Sequence, residues 1–557
     1  DIILSVVPSE SIMRISHIGS TAILGIWAKN IVDILIEVNN KLDLDAVKDT
    51  LVNNGWLCMN MTENRITLNK GYTEQGFAEK VFHLHIRIAG DNDELYFRDY
   101  LNEHKEIAKE YETLKLSLWK EFEHDRDGYT NAKAEFINKY TSGKCLSFLD
   151  FQVVAKKYGI YFEKIKPFID KDIIKVLTGI RRSGKSVMLK LIMKELKKNG
   201  VDENQFIYIN FENLRNRHLC YADTLNEYIL EKAENVEEKC YLFLDEIQEV
   251  KEWEKCINSL RTEDKQFDIY ITGSNAKLLS GELATYLAGR YVEIEIYPFS
   301  FKEFCSIYQN INQNISKEEM FEKYVKLGGM PFLHNLNYEV ESSMQYLKDI
   351  YSSIILKDIT QRSNIRNTEL LERIINYIVM NIGNTFSANS ISKYFKSENR
   401  KVAVDTVLNY IKACENAFLL HKVPRYEIQG KEVLNVSEKY YIADHGIREA
   451  ILETNERDIN QIFENIVYME LLRKGYNIKI GKLNNLEIDF VCTKTNNEKI
   501  YIQVAYLLAS EDTIKREFLP FEKINDNYPK YVISMDKFDM SRNGIKHLNI
   551  IDFLLKD

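Results

Sequence analysis

Prolines, paired cysteines and long apolar runs are scarce in this chain, and each scarcity excludes a class of protein. Only seven prolines occur in 557 residues, and no low-complexity linker appears. The eight cysteines form no CxxC pair, which argues against a zinc ribbon and a disulfide framework. No apolar run reaches the roughly 18 residues that a membrane-spanning helix needs. We therefore expect a soluble protein from a reducing compartment.

The chain also lacks an excess of positive charge and a secretion signal. Its 74 Lys and Arg residues are outnumbered by 83 Asp and Glu residues, which gives a net charge of −9. Binding to nucleic acid would therefore need a local basic face. The sequence begins at Asp1 with neither methionine nor a signal-peptide pattern, which predicts a cytoplasmic protein whose first residues are missing. A length of 557 residues predicts three or four domains.

Four regions differ in their hydrophobic pattern. Residues 1–144 combine short β-rich runs with a charged helical stretch from Asn102 to Tyr140, which predicts an α+β unit. Between residues 156 and 300, apolar runs alternate with helical patterns, which predicts a doubly wound α/β domain with a parallel sheet. Residues 301–448 are mostly helical, and residues 455–557 return to an α/β pattern.

The segment TGIRRSGKS places two glycines five apart, followed by a lysine and a serine. It lies between an apolar run, Ile173–Leu177, and a helical pattern, Val187–Lys198. GxxxxGK[ST] between a strand and a helix is typical of a phosphate-binding loop, because its backbone N–H groups can approach the phosphates of ATP. Lys185 should reach the β and γ phosphates, and Ser186 should bind Mg²⁺. The candidate nucleotide-binding residues are Gly179, Ile180, Arg181, Arg182, Ser183, Gly184, Lys185 and Ser186.

Two later apolar runs end in polar side chains. CYLFLDE ends in Asp245 and Glu246, where Asp245 would hold the Mg²⁺ shell and Glu246 would polarise the attacking water. ITGSN puts Ser274 or Asn275 at the same predicted sheet edge, because ligands bind beyond the carboxyl ends of parallel strands. Either residue is a candidate sensor of the γ-phosphate. The alternative is an ordinary helix N-cap.

Several ordered motifs, GIRRSGKS, LDEIQEV, ITGSNAKLLS, LGGMPFL and EIDFV, together resemble the prokaryotic AAA-type ATPases that carry a C-terminal domain of unknown function. The resemblance extends from about residue 156 towards the end of the chain. It implies ATP hydrolysis in an oligomeric or partner-gated site and makes Arg290 a candidate cation for the γ-phosphate, or else a structural ion-pair partner. Asp358 and Arg362 also match the family, but the sequence assigns them no chemistry.

A helix-turn-helix pattern followed by a short β run spans residues 384–423, which favours a winged-helix-like unit. Such a unit can dock a helix in DNA or bind another protein, and a solvated helical surface is the third interpretation. DNA contact would depend on a modest basic face, because seven basic residues outnumber three acidic residues here. The acidic residues are Glu398, Asp405 and Glu415. The basic residues are Lys393, Lys396, Arg400, Lys401, Lys412, Lys422 and Arg425.

The last region resembles a restriction-endonuclease-type core. Glu464 lies on a predicted helix, and Asp489 matches the first acid of the metal site that this resemblance implies. At the next strand, Gln503 and Ala505 stand where the resemblance implies a carboxylate and a lysine. Metal affinity and water activation should both fall, so we expect a nuclease fold that has lost cutting, unless Lys515 substitutes from the following helix.

The N-terminal region resembles the GrpB family, through RISHIGSTAILGIWAKNIVDILIEV, HLHI and LYFRDYLNEH. The family fold is similar to nucleotidyltransferases, which implies that Gly19 and Ser20 begin a helix that receives a triphosphate and that Asp33 binds a metal. A second acid is expected two residues later, but Leu35 stands there. His83 and His85 share one strand face, where they could bind metal or phosphate or serve as ordinary hydrogen-bonded residues.

These patterns together predict a Mg²⁺-dependent ATPase with an AAA-type core. A GrpB-like domain precedes the core, and helical and nuclease-like regions follow it. Two other functions remain open at this stage. One is a nucleotidyltransferase that the ATPase regulates, and the other is a nucleotide-gated DNA-binding switch that turns over ATP slowly. The partner of the ATPase, and whether it forms homo-oligomers, cannot be read from these motifs.

Overall fold

The computed structural model describes residues 12–121 and 161–556, and residues 3, 6 and 7. Within these ranges, short gaps fall at residues 30, 39–40, 62–64, 74–75, 89–92, 104, 235, 264–265, 277–288, 312–314, 429, 431 and 453–457. The chain forms two compact units, Asp1–Val154 and Ala155–Asp557. In the described residues, no helix is both long and apolar enough to cross a membrane.

The N-terminal unit contains a five-stranded mixed sheet. Its central strand alternates apolar and polar residues, so one face packs on a core that includes Ile36, Val38, Leu84 and Ile86. The strands follow the order β1-β2-β5-β4-β3, and only β2 and β5 are parallel. The strands are β1 (Arg14–Ile18), β2 (Ile31–Val38), β3 (Leu57–Met61), β4 (Arg65–Thr73) and β5 (Gly76–Ile88).

In the part of this unit that the structure describes, three helices accompany the sheet. They are α1 (Lys41–Asn53), α2 (Asp93–Glu103) and α3 (Lys105–Glu121). The charged helical stretch expected from Asn102 to Tyr140 is formed by the end of α2 and by α3, and its part beyond residue 121 lies outside the described residues.

A parallel sheet of five strands forms the core that the alternating pattern predicts. The strands follow the order β10-β6-β9-β8-β7, and every residue of β6 and β8 is buried, as expected for strands covered on both faces. The strands are β6 (Ile174–Thr178), β7 (Phe206–Asn210), β8 (Cys240–Asp245), β9 (Phe267–Thr272) and β10 (Tyr291–Glu295). The helices among them are α4 (Lys185–Lys198), α5 (Ala222–Ala233) and α6 (Trp253–Leu260).

The next region is helical, as its pattern predicts. A segment of π-helix, Ile354–Gln361, continues α9 without a break, and its wider turn is a common feature of functional sites. The helices are α7 (Phe301–Ile311), α8 (Lys317–Leu327), α9 (Val340–Ser353), α10 (Thr368–Met380), α11 (Ala388–Ser397) and α12 (Val404–Asn416).

A seven-stranded mixed sheet completes the chain, in the order β12-β11-β13-β14-β15-β16-β17. It takes strands from both sides of the predicted boundary near residue 450. The strands are β11 (Leu420–Glu427), β12 (Glu432–Ile442), β13 (Asn477–Leu483), β14 (Leu486–Thr493), β15 (Lys499–Val504), β16 (Lys530–Ser534) and β17 (Lys546–Asn549). The helices are α13 (His445–Leu452), α14 (Ile459–Arg473), α15 (Glu511–Glu522) and α16 (Ile550–Leu555).

Candidate functional site

The loop Gly179–Ser186, called the P-loop below, joins the end of β6 to the start of α4. Gly179 has φ of 133°, and a Cβ atom there would lie 2.4 Å from the Ile296 carbonyl oxygen. Gly184, with φ of 103°, immediately precedes α4. Both glycines therefore adopt backbone conformations that other residues rarely reach. The strand, loop and helix follow one another in the order predicted.

Lys185 is buried at the base of the P-loop. Its Nζ atom donates to the carbonyl oxygens of Gly179 and Ile180, at 3.1 and 3.2 Å, and lies 3.9 Å from Oε1 of Glu246. Burial lowers the pKa of Lys185, while the Glu246 carboxylate opposes that change. Two neutral carbonyls and one distant carboxylate leave this ammonium able to interact strongly with an added anion.

Asp245, at the end of β8, is fully buried and accepts four hydrogen bonds. Ser186 Oγ donates to Oδ1 at 3.0 Å, so the two residues predicted to hold Mg²⁺ are in contact. Thr272 Oγ1 also donates to Oδ1, at 2.7 Å. Tyr208 and Asn210 donate to Oδ2, at 2.9 and 2.7 Å. These hydrogen bonds fix the carboxylate beside the start of α4.

Glu246 follows in the left-handed region, with φ of 57°. Its backbone N–H donates to Thr272 Oγ1 at 2.8 Å, and its side chain accepts from Gln248 Nε2. Burial opposes ionisation of Glu246, but Lys185 and Gln248 hold its pKa below the usual value. A non-glycine residue in this conformation is a sign of functional constraint, and Gln248 is a positioning residue that the sequence did not reveal.

The remaining P-loop side chains fit a phosphate ligand. Ser183 is buried, and its Oγ atom has no hydrogen-bond partner among the described residues. A buried hydroxyl without a hydrogen-bond partner lowers the stability of the folded protein unless a ligand pairs with it. Ile180 is buried, whereas Arg182 is exposed and has φ of 68°. The hydroxyl of Ser183 therefore suits a phosphate oxygen.

Arg181 points to a partner far along the chain. Its Nε atom donates to Oδ2 of Asp358 at 2.7 Å, and its Nη1 atom donates to Glu212 at 3.1 Å. Ser274 Oγ donates to Oδ1 of Asp358 at 2.9 Å, and Asn275 Nδ2 donates to the Asp358 backbone carbonyl at 3.1 Å. The P-loop and both candidate sensor residues therefore meet at Asp358, in the π-helical segment.

Arg362 belongs to the same network. Its Nε atom lies 3.6 Å from Oδ1 of Asp358, and its Nη2 atom donates to Glu249 at 3.1 Å. Glu249 is three residues after Glu246, in the turn that follows β8. The motif LKDITQR, to which the sequence assigned no chemistry, thus connects the helical region to the nucleotide site.

Arg290 lies at the opposite edge of the parallel sheet. Its backbone carbonyl accepts from the N–H of Ile174, at the start of β6, whereas the P-loop follows the end of β6. Five strand residues separate the two edges by roughly 16 Å. The exposed Arg290 side chain is therefore not part of its own chain's nucleotide site. A role at the γ-phosphate stays a prediction that requires a second copy of the chain.

A second cluster of candidate residues lies in the N-terminal unit. Gly19 has φ of 71°, and a Cβ atom there would lie 2.2 Å from Asp33 Oδ2. Asp33 Oδ1 is 3.2 Å from His83 Nδ1 and 4.0 Å from His85 Nε2. Burial lowers the pKa of His85, and Arg87 adds to that effect while Asp33 opposes it. The structure therefore brings Gly19, Asp33 and both histidines together.

Two details of this cluster differ from the nucleotidyltransferase pattern. A helix begins at Gly19 and Ser20 as expected, but it is a 3₁₀ helix of only three residues, Ser20–Ala22, so no macrodipole of a long helix acts there. Leu35 is fully buried against Ile18 and Leu95. As the side chains are arranged in this structure, no group of three or more His, Cys, Asp or Glu among the described residues is placed to hold a metal ion.

A third cluster lies at the C-terminal sheet. The Nζ atom of Lys439, on β12, is 2.9 Å from Glu464, 2.8 Å from Glu487 and 3.6 Å from Asp489. Burial alone would lower the pKa of Lys439, but the three carboxylates raise it above the usual value. Burial, with the nearby Glu464 carboxylate, raises the pKa of Asp489. We call this group the Lys439 cage.

The lysine that accompanies Asp489 differs from the expected one. Lys515 is exposed on α15, whereas Lys439 makes the contact. Gln503 lies opposite Asp489, and its Oε1 atom accepts from the Asp489 backbone N–H at 3.2 Å. Ala505 is buried in the core. The two sequence departures therefore have structural roles.

Comparison with known families agrees with this division. Residues 2–142 match the GrpB protein family, residues 171–305 match the AAA domain family, and residues 318–458 match a domain of unknown function. An uncharacterized protein of Haemophilus influenzae is 38% identical over 397 residues, which cover 71% of this chain and 98% of that protein.

The chain belongs to the AAA-domain ATPases and carries a GrpB domain. The glutamate-rich protein GrpB of Alkalihalophilus pseudofirmus is 32% identical to the GrpB domain over 142 residues, which are 25% of this chain and 82% of that protein. A Walker-type ATPase of Pyrococcus abyssi is 14% identical, with a TM-score of 0.38, and the match covers 53% of this chain and 94% of that one.

Proposed function

We propose that this AAA-domain ATPase hydrolyses ATP with Mg²⁺ and uses the turnover to move its helical region. The observation that carries the first half is the contact between Ser186 and Asp245 beside a buried, weakly compensated Lys185. A serine hydroxyl and a carboxylate at the start of a helix suit Mg²⁺, and the lysine suits the transferred phosphoryl group.

Each residue has a separate role in this proposal. The P-loop backbone N–H groups and Ser183 bind phosphate oxygens, and Lys185 holds the γ-phosphate. Ser186 and Asp245 hold Mg²⁺, which would neutralise charge on the phosphates. Glu246 accepts a proton from the attacking water, because its lowered pKa keeps it ionised near neutral pH.

The test is Lys185→Ala in the full chain. We expect loss of ATP binding and of turnover, since the variant removes the cation that faces the phosphoryl group. Lys190→Ala is the matched control, because Lys190 is exposed on the same helix. Binding measured by calorimetry and turnover measured as phosphate release should both persist in the control. Unchanged binding in Lys185→Ala would contradict the assignment.

The second half of the proposal rests on Asp358. Its carboxylate accepts from Arg181 and Ser274, which lie where a γ-phosphate would attract them. Arg181 is a P-loop residue, and Ser274 follows β9 at the same sheet edge. An arriving phosphate would compete with Asp358 for these donors, because both are anionic acceptors. Such competition would weaken the hydrogen bonds to Asp358 when nucleotide binds, and so change the position of the π-helical segment and of α9 and α10.

Asp358→Asn tests this coupling, because the amide keeps the shape and removes the charge. We expect nucleotide-dependent hydrogen exchange in residues 340–380 to disappear in Asp358→Asn, with ATP binding retained. Asp349→Asn, an exposed position on α9, is the control that should behave like wild type. A helical region whose exchange responds to ATP equally in both variants would contradict the coupling.

We further propose DNA as a partner of the helical region. Helices α10, α11 and α12 precede the hairpin of β11 and β12, which is the order of elements in a winged helix. Of the basic residues there, Arg400 pairs with Glu369, Lys412 with Glu415 and Lys422 with Glu438. Lys393, Lys396 and Lys401 are exposed beside the turn between α11 and α12.

ATP turnover with and without duplex DNA tests this partner. We expect stimulation by DNA that falls steeply with salt and is reduced when Lys393, Lys396 and Lys401 are changed to Glu. Turnover that ignores DNA at low salt would favour protein docking instead. A labelled-nucleotide transfer assay in the same preparation distinguishes the alternative in which the GrpB domain is a nucleotidyltransferase.

A further inference from the structure

The Lys439 cage has the composition of a divalent-cation site with an ammonium at its centre. Glu464 comes from α14, and Glu487 and Asp489 come from β14, so two separate elements direct carboxylates at one point. Three carboxylates are the kind of oxygen ligands that Mg²⁺ and Mn²⁺ prefer. The cation within contact of all three is Nζ of Lys439, whose side chain is only 3% exposed.

The neighbouring groups hold this arrangement in place. Tyr441, two residues after Lys439 on β12, donates from its hydroxyl to the Glu464 oxygen that Lys439 also contacts, at 2.5 Å. The Val504 N–H donates to Oδ2 of Asp489 at 2.9 Å. Each of these carboxylates therefore has a second partner that fixes its direction, as the outer contacts of metal ligands do.

The cage is also closed on the side of Glu464. A Cβ atom at Gly383 would lie 3.0 Å from the Glu464 carboxylate, so the turn after α10 packs directly on this side chain. Glu464 and Asp489 side chains are 13% and 11% exposed. A substrate phosphate would have little access to Asp489 from that direction.

We propose that the ammonium of Lys439 takes the place of a divalent metal ion among Glu464, Glu487 and Asp489. The chain supplies its own cation, and the pocket binds no Mg²⁺ or Mn²⁺ while Lys439 is present. An ammonium cannot lower the pKa of a bound water as a metal ion does, so the pocket has no means of generating hydroxide. The three carboxylates are not arranged to hold a metal ion around Lys439, and we expect them to form a metal site only when the ammonium is removed.

The first experiment uses wild-type protein, free of nucleotide so that the P-loop does not supply a metal site. Mn²⁺ is the probe, and electron paramagnetic resonance measures the free ion. We expect wild type and Asp489→Asn to give identical titrations. Binding of one Mn²⁺ by wild type that Asp489→Asn abolishes would overturn the proposal, and this result does not depend on any variant of Lys439.

The second experiment replaces the internal cation with a neutral side chain of similar length. Lys439→Met leaves the carboxylates without a partner, so we expect a lower melting temperature in the absence of metal. Mn²⁺ should then bind at about one per chain and raise the melting temperature by several degrees, because it binds only the folded protein. Wild type should show neither effect.

Lys515→Met is the control, because Lys515 is exposed in the same region and outside the cage. It should match wild type in both measurements. Should Lys439→Met fail to fold alone, refolding in Mn²⁺ that recovers ATP turnover supports the proposal. A folded Lys439→Met protein that neither binds Mn²⁺ nor responds to it overturns the proposal.

Discussion

Lys185 and Lys439 are both buried beside carboxylates, and their partners differ in kind. Lys185 donates to two backbone carbonyls and stays 3.9 Å from its nearest carboxylate, whereas Lys439 lies within 3.6 Å of three carboxylates. The pKa of Lys185 is lowered, mainly by burial, while that of Lys439 is raised because carboxylates outweigh burial. The first lysine retains electrostatic capacity for a ligand, and the second is already neutralised by its own chain.

The difference shows that the charge partners of a buried lysine indicate whether it can bind a ligand. A lysine that is desolvated without full compensation is costly to the folded state, and a phosphate can repay that cost. A lysine that is desolvated and fully paired has a structural role. Burial alone would not have separated the two, since Lys185 is 4% exposed and Lys439 is 2% exposed.

The largest effect is expected from Glu246→Gln, which removes the carboxylate facing Lys185. Turnover should fall by roughly 10² or more with ATP binding intact, because only water activation is lost. Single-turnover phosphate release and calorimetry measure the two quantities. Glu263→Gln, in an exposed loop after α6, should change neither. Loss of binding in Glu246→Gln would make Glu246 a structural or metal residue.

Chemical labelling should separate the two lysines directly. Acylation requires the neutral amine, so a lowered pKa speeds the reaction of Lys185 and a raised pKa slows that of Lys439. At about pH 8, Lys185 should therefore react faster than Lys439. Mass spectrometry of tryptic peptides gives both rates. ATP should protect Lys185 alone, and faster labelling of Lys439 would contradict the comparison.

The Asp33 cluster extends the comparison to a third site. In a full-chain Lys185→Ala background, Asp33→Ala should bind nucleotide about threefold more tightly than its parent, because a negative charge is removed beside His83 and His85. Calorimetry with Mg²⁺ present measures this affinity. If Asp33→Ala instead loses binding together with labelled-nucleotide transfer, Asp33 acts through a metal and the nucleotidyltransferase function gains support.

Glu487→Gln should have the smallest effect. Glu487 is the most exposed carboxylate of the cage, with 37% of its side chain accessible, and Lys439 keeps Glu464 and Asp489. We expect the free energy of unfolding to change by less than about 1 kcal/mol, in keeping with a surface ion pair. Chemical denaturation measures it. A large loss would mean that Glu487 carries the pairing that is assigned here to Glu464.

The sequence predicted those features that depend on residues adjacent in the chain. The P-loop follows from a strand, two glycines and a helix, so the fold class of the ATPase core was predictable and is confirmed. The contact between Asp358 and Arg181 was not predictable, because 177 positions separate them and only packing joins them. The role of Lys439 was not predicted for the same reason, since its partners lie 25 to 50 residues further along the chain.

One local expectation was met only in part, for a local reason. The helix expected after Gly19 is only three residues long, because Ile23 is already extended and Gly25 has φ of 79°. A glycine in the left-handed region ends a helical turn readily. The role of Arg290 stays a prediction, because a motif match gives a residue type without the end of the sheet at which that residue lies.

The π-helical segment Ile354–Gln361 gives the chain an unusual sensitivity to length. A π turn holds more residues than an α turn, so one residue fewer between α9 and Asp358 would favour ordinary α-helix. Each residue advances a helix by about 100°, which would rotate the Asp358 carboxylate away from Arg181. Deletion of the exposed Lys357 would therefore disconnect the helical region from the nucleotide while every P-loop residue stays unchanged. The proposed coupling therefore depends on the number of residues between α9 and Asp358 as well as on the charge of Asp358.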